Sequence, residues 1–392
     1  MEKIIYLDNA ATTRTDISVA DAMKPYFSES YGNPSAVYDY AKSNKEAIEK
    51  ARKTIADIIG AMPEEIYFTS GGSEADNWAV KGTAISCKDK GHHIITTVIE
   101  HHAITNSCEF LKSMGYDVSY IGVDEFGTVK LKDLKKAIRK DTVLISVMAA
   151  NNEVGTLQPL KEIGRIAKEN NVLFHIDAVQ SFGHQSINVD ELNADMISVS
   201  AHKFRGPKGM GFLYIRKGVD ILPLIHGGGQ EHGLRAGTEN VPGIIGMAKA
   251  AQLAYENFKD RDERVAELRD YFVKRILCEI PYARLNGHPY ERLAGNASLS
   301  FQFADSGSIL VMLSMKGICA SGGSACNSGS SSASHVLLAM GLPEELARST
   351  VRFTFSEENT REEADYVIKE LKEIVEKLRE VSPEYQIYKR KF

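Results

Sequence analysis

Between residues 93 and 215 short apolar runs alternate with longer amphipathic ones, and no other feature constrains the fold as tightly. The pattern predicts strands at 93–98, 117–121, 142–147, 172–176, 194–199 and 211–215. Helices are predicted at 103–114, 131–139 and 160–170. Strands and helices in that rhythm, joined by short connections, imply an α/β fold with a mostly parallel sheet covered on both faces. Ligands of such sheets sit outside the carboxyl ends of the strands. The residues just after each strand therefore carry the functional reading.

After the strand that ends near Ser200 comes Ala201-His202-Lys203-Phe204-Arg205-Gly206-Pro207. A lysine delivered by a buried strand is costly unless it is neutral or covalently engaged. A carbonyl cofactor supplies the engagement, because a desolvated lysine forms a Schiff base. Twenty-six residues earlier another apolar strand, Asn171-Val-Leu-Phe-His175-Ile-Asp177, ends in an acid, with Gln180 three residues on. Pyridoxal 5'-phosphate needs a carboxylate to keep its ring nitrogen protonated, and a donor near its phenolic oxygen. Asp177 and Gln180 meet those needs. Ile66-Tyr-Phe-Thr69-Ser-Gly71-Gly72-Ser73 breaks a strand on two glycines and opens a helix, which makes Gly72 and Ser73 an anion cradle for a phosphate. Each feature also has a plainer reading: a surface lysine before a Gly-Pro turn, a helix cap at Asp177, a common glycine turn.

Together these stretches resemble the aminotransferase-like, fold type I pyridoxal phosphate enzymes. The run Ser200-Ala-His-Lys-Phe-Arg-Gly-Pro-Lys-Gly-Met-Gly211 is similar to that of the cysteine desulfurases in particular. The opening Leu7-Asp-Asn-Ala-Ala-Thr-Thr13 and the loop Gly32-Asn-Pro-Ser35 fit the same resemblance, which spans nearly the whole chain. It implies that His101 stacks on the cofactor and that Asn152 faces cofactor and substrate. Ser200 and His202, beside Lys203, count among the implied cofactor contacts. Thr238, on the glycine-rich loop 226–240, is expected to bond the phosphate of a neighbouring subunit, so a homodimer with composite sites is expected. Arg352, inside the strand 350–355, is expected to clamp a substrate carboxylate. A salt bridge to a protein acid is its plainer reading.

Cys326 lies in Ser321-Gly-Gly-Ser-Ala-Cys-Asn-Ser328, a stretch of small residues suited to a nucleophile that carries cargo away. The family pattern around it departs here at Asn327 and at Ser331–Ala333. The implied activity converts L-cysteine to L-alanine and leaves the sulfur on Cys326 as a persulfide. A sulfur-acceptor protein, either an iron–sulfur scaffold or a thiolation relay, is the implied partner. Three rivals stay open: an aminotransferase, a selenocysteine lyase, and a sulfur-relay scaffold of low turnover. His101, or the cofactor assembly, is the expected proton acceptor for the Cys326 thiol, and Cys319, flanked by apolar residues, is read as buried filler.

Composition excludes other classes. A net charge of −5 offers no electrostatic footprint for nucleic acid or an acidic membrane. No apolar run approaches the length of a membrane span and the amino terminus lacks a signal-peptide core, so the cytoplasm is expected. Five scattered cysteines without a CxxC pair argue against a disulfide framework and a zinc site. Neighbouring histidines at 92–93 and 101–102 point to opposite faces of an extended segment, so no metal is expected. A large cofactor domain over 15–256 is predicted. A smaller α+β domain is predicted from 1–14 and 257–392, with strands at 296–303 and 350–355 and helices at 306–316, 334–340 and 360–380.

Overall fold

The structure, a computed structural model, describes residues 4–322 and 333–390. A short strand β1 (Ile5–Tyr6) opens the chain. The main sheet then collects β2 (Ile66–Thr69), β3 (His93–Thr97), β4 (Asp117–Ile121), β5 (Thr142–Met148), β6 (Leu173–Asp177), β7 (Met196–Ser200) and β8 (Gly211–Ile215). Its strand order is β2-β8-β7-β6-β5-β3-β4. The five strands from β7 to β4 run parallel, and β8 is antiparallel to both of its neighbours. Every residue of β5, β7 and β8 is buried, as expected of strands covered on both faces.

From β3 the chain turns outward to β4 and then returns to β5 on the other side of β3. The strand order therefore reverses between β3 and β5, the point at which open α/β sheets hold ligands. The loops after these two strands carry His101 and Asn152.

A second sheet, antiparallel throughout, has the order β12-β13-β10-β9. Its strands are β9 (Ala283–Leu285), β10 (Asn296–Phe301), β12 (Ser321–Gly322) and β13 (Thr350–Thr354). Strand β11 (Ile318–Cys319) pairs in parallel with β1, so the amino terminus is built into this second unit. Ile5 and Leu7 pack there with Phe272, Leu299, Phe353 and Leu371, in a core separate from that of the main sheet. The helical stretch after Asn240 is two helices, Val241–Glu256 and Phe258–Glu279. Asn257 (φ −141°, ψ 38°) breaks them. The strand Ala283–Leu285 and the last helix Pro383–Lys389 were not foreseen, being too short or too polar for a periodic signal.

Candidate active site

Strand β7 ends at Ser200, and a single 3₁₀ turn, Ala201–Lys203, swings the lysine out over the sheet edge. Its Nζ donates to the carbonyls of Ala10 (2.6 Å) and Ala11 (3.0 Å). Gln180 Nε2 donates to the same Ala10 carbonyl at 3.0 Å, so the two predicted residues meet on one acceptor. Asp177 is the buried last residue of β6, and its Oδ1 accepts the Val179 N–H at 2.9 Å. Burial pushes its carboxyl up to about 6, against the pull of the Val179 bond and the nearby Lys203 charge. His202 meets the same amino-terminal segment, its Nδ1 3.1 Å from Thr12 Oγ1. Beside Lys203 and Gln180 lies a cavity of about 570 Å³, walled by Tyr6, Asn9, Arg205 and Phe355.

His101 caps the helix His102–Ser113, with the Ala103 N–H donating to its Nδ1 at 3.1 Å. While that cap holds, Nε2 carries the ring hydrogen, so the neutral imidazole is a donor at its other nitrogen. Burial, with the charges of Lys203, His102 and His335 behind it, pushes this imidazole down to about 4. The ring is neutral at physiological pH.

The cradle after β2 depends on glycine. Gly71 sits at φ 149°, ψ −177°, a region closed to other residues. A Cβ on Gly72 would lie 2.6 Å from Val179 Cγ2 and 3.4 Å from Ser200 Cβ. The start of the helix Gly72–Asn77 is thereby pressed onto the turns that follow β6 and β7. Ser73 is exposed at its first turn.

The glycine-rich loop 226–240 is anchored at two points. Glu231 forms a buried bidentate pair with Arg52, with oxygens 2.8 and 2.9 Å from the guanidinium, and accepts the Phe68 N–H. Arg235 pairs with Glu74 at 2.8 Å, one residue beyond Ser73. Thr238, three residues past Arg235, is exposed. Neither anchor was legible in the sequence, because each pairs residues more than 150 positions apart.

Arg352 in β13 is 1% exposed. Its Nη1 donates to the Asn152 carbonyl (2.7 Å) and its Nη2 to Asp8 Oδ1 (3.0 Å), while Nε has no hydrogen-bond partner among the described residues. The plainer reading of this arginine, a bridge to a protein acid, is thus part of the picture. The next two carbonyls are held from the same side: Asn296 Nδ2 donates to Glu153 O (3.4 Å) and Arg292 Nη2 to Val154 O (3.1 Å). Ser334 donates to the buried Glu153 carboxyl, which burial pushes up to about 7 against Ser334 and Arg352. Cys326 lies outside the described residues. Cys319 is half-buried rather than buried, and burial raises its thiol.

Sequence reasoning missed a polar row beneath the strand ends. His175, two residues before Asp177 in β6, bonds Ser146 Oγ of β5 (2.9 Å) and Ser198 Oγ of β7 (2.8 Å). Asp76 reaches it from the covering helix, with Oδ1 3.8 Å from His175 Nε2. Burial pushes that carboxyl well up and the imidazole down to about 3. The available signal was three polar residues interrupting three otherwise apolar strands.

A reversing parallel sheet that presents a lysine, an acid and a glycine cradle at its strand ends is the layout of the fold type I pyridoxal phosphate enzymes. The family model described as "Aminotransferase class-V" matches residues 5–367. "Cysteine desulfurase IscS" of Methanosarcina thermophila is 52% identical over 381 residues, covering 97% of this chain and 94% of that protein. The protein of the same name from Dictyoglomus turgidum is 50% identical, covering 99% of each. Among solved structures, a "NifS-like protein" superposes with a TM-score of 0.90 at 40% identity, covering 95% of this chain and all of that one. "SspA in complex with cysteine" superposes with a TM-score of 0.81 at 40% identity, covering 91% of this chain and all of that one. The chain belongs to the cysteine desulfurases of the class-V aminotransferase family.

Proposed function

We propose that this chain converts L-cysteine to L-alanine and retains the sulfur as a persulfide on Cys326. The observation that carries the reading is the meeting of Lys203, Asp177 and Gln180 at adjacent strand ends. The residues fit pyridoxal 5'-phosphate. A buried acid ends β6 beside a lysine, and the Gly72 backbone is pressed where no side chain would go. When bound, that group takes up the electron pair left at the substrate Cα.

Each protein residue then has a part. Asp177 would keep the ring nitrogen protonated, Gln180 would donate to the phenolic oxygen, and His101, a neutral imidazole, would stack on the cofactor. Gly72, Ser73, Ser200 and His202 would help to hold the cofactor, and Thr238 of a second copy would bond its phosphate. Lys203 would anchor the cofactor, and as a free amine it would move the Cα proton of the substrate. Arg352 and Asn152 hold the substrate carboxylate. The Cys326 thiolate attacks the substrate sulfur: an S–S bond forms, the Cβ–S bond breaks, and the three-carbon remainder takes up protons and leaves as L-alanine.

The second core supports a large unit over 15–256 and a smaller one from 1–14 and 257–392, although Val336, Leu337 and Met340 of the smaller stretch pack into the core of the main sheet. The composite site makes the working form a homodimer in the cytoplasm. From it sulfur passes to an iron–sulfur scaffold or a thiolation relay. Among the described residues no helix is long and apolar enough to cross a membrane. Mass spectrometry after addition of L-cysteine tests the reading: a persulfide mapped to Cys326, with one L-alanine released per site, is expected. L-alanine release with no sulfur on Cys326 would reject it.

A further inference from the structure

Arg352 has one fork of donors that is half used. Its Nη1 is committed to the Asn152 carbonyl at 2.7 Å, a backbone group that cannot move away alone. The remaining side-on fork, Nε with Nη2, is the pair that receives a carboxylate bidentately. Nη2 meets Asp8 Oδ1 at 3.0 Å, while Nε is buried and has no hydrogen-bond partner among the described residues. Asp8 thus grips one tine and leaves the other bare. A single-contact pair leaves part of the guanidinium unsatisfied, which is costly in a buried site.

The Asp8 backbone is fixed. Its carbonyl accepts the N–H of Ala11 (3.0 Å) and the Tyr6 hydroxyl (3.2 Å), and it bridges to Thr354 beside Arg352. The carboxylate itself is 18% exposed, against 1% for the arginine side chain. Its own rotation is therefore enough to vacate Nη2.

We propose that Asp8 is a resident carboxylate that occupies Arg352 until the carboxylate of an α-amino acid displaces it, and so sets how tightly such ligands bind. The inference rests on the reading of Arg352 as the substrate-carboxylate site. Only a ligand that brings its own negative charge can replace the charge it removes. Neutral amines gain nothing at Arg352, and a carboxylate that reaches both Nε and Nη2 gains one hydrogen bond over Asp8. Asp8 therefore weakens every carboxylate ligand at Arg352, and narrows the margin by which the site prefers a carboxylate over a neutral group.

The test uses the cofactor-loaded protein and two non-reacting probes, L-alanine and L-alaninamide, which differ in the carboxylate charge. Their dissociation constants are read from the absorbance of the bound cofactor, and the measured quantity is their ratio, which does not depend on how much of a variant is folded. Asp8→Asn keeps the shape and removes the competing charge, so L-alanine should bind about tenfold tighter, with L-alaninamide little changed. Asp8→Glu, which restores a carboxylate, should return the ratio towards wild type. Arg352→Gln should collapse it. If Arg352→Gln leaves the ratio intact, the reading of Arg352 is wrong. If that variant collapses the ratio but Asp8→Asn leaves it unchanged or lower, Asp8 is a structural partner only and the proposal is overturned.

Discussion

The Lys203 ammonium donates to the Ala10 carbonyl at 2.6 Å, across 193 positions of sequence. Ala10 follows β1, which is paired into the second unit, whereas Lys203 closes the turn after a strand of the main sheet. The lysine is thus held by a segment that also carries Asp8 to Arg352. One short stretch, Asp8 to Ala11, positions both Lys203 and Arg352.

Lys203→Ala is expected to abolish covalent attachment of the cofactor while leaving the fold intact. Borohydride reduction followed by peptide mapping should place the cofactor on Lys203 in wild type and nowhere in the variant. Turnover should fall by about a thousandfold or more. A reduced, loaded wild-type protein with an unmodified Lys203 would remove the basis of the assignment.

Cys326→Ser should bind L-cysteine and make almost no L-alanine, a loss on the order of a thousandfold or ~4 kcal/mol of barrier. The serine hydroxyl is far less nucleophilic than a thiolate at neutral pH. Cys319→Ser should lose far less, since its raised thiol is a poor source of thiolate. Near wild-type release of L-alanine and sulfide from Cys326→Ser would count against a persulfide.

A dimer with shared sites predicts complementation. Thr238 is exposed on its own chain, on a loop anchored through Glu231 and Arg235. Mixing inactive Thr238→Ala and Lys203→Ala proteins should recover part of the activity once subunits exchange. A fully active monomer by light scattering would exclude this arrangement.

Glu100 gives a pH dependence with a definite sign. It is fully buried, accepts from Thr97 Oγ1 (2.6 Å) and the Met148 N–H (3.1 Å), and burial pushes its carboxyl up to about 8. The folded chain holds a proton there that the unfolded chain releases near its ordinary value, so stability falls as pH rises towards 8. Glu100→Gln removes that fall. The variant should melt a few degrees above wild type at pH ~9, at least ~1 kcal/mol, with the gap closing below about pH 4. Equal pH profiles in thermal melts would show that Glu100 ionises normally.

Much of this was legible because strand and helix periods are local. All six strands predicted between 93 and 215 lie within two residues of their observed ends, and Lys203 and Asp177 follow the strands expected of them. What stayed hidden depends on long-range pairing. Asp8 on Arg352, Glu231 on Arg52 and Asp76 beneath His175 join segments that nothing in the local pattern relates. The Asn257 break was hidden for another reason: flanking apolar periodicity continues through it, and only the backbone angles reveal the stop.

The carbonyls of Asn152, Glu153 and Val154 are held by Arg352, Asn296 and Arg292, which a ribosome adds long after the loop they fix. The first segment made, β1, likewise waits for β11 before it can pair. Synthesis can therefore deliver a main sheet with its lysine in place before any competent site exists, since domains fold largely as they emerge. A chain halted near residue 256 should bury its sheet yet leave residues 151–156 open to protease, and the cell would have to protect that intermediate until the last third of the polypeptide arrives.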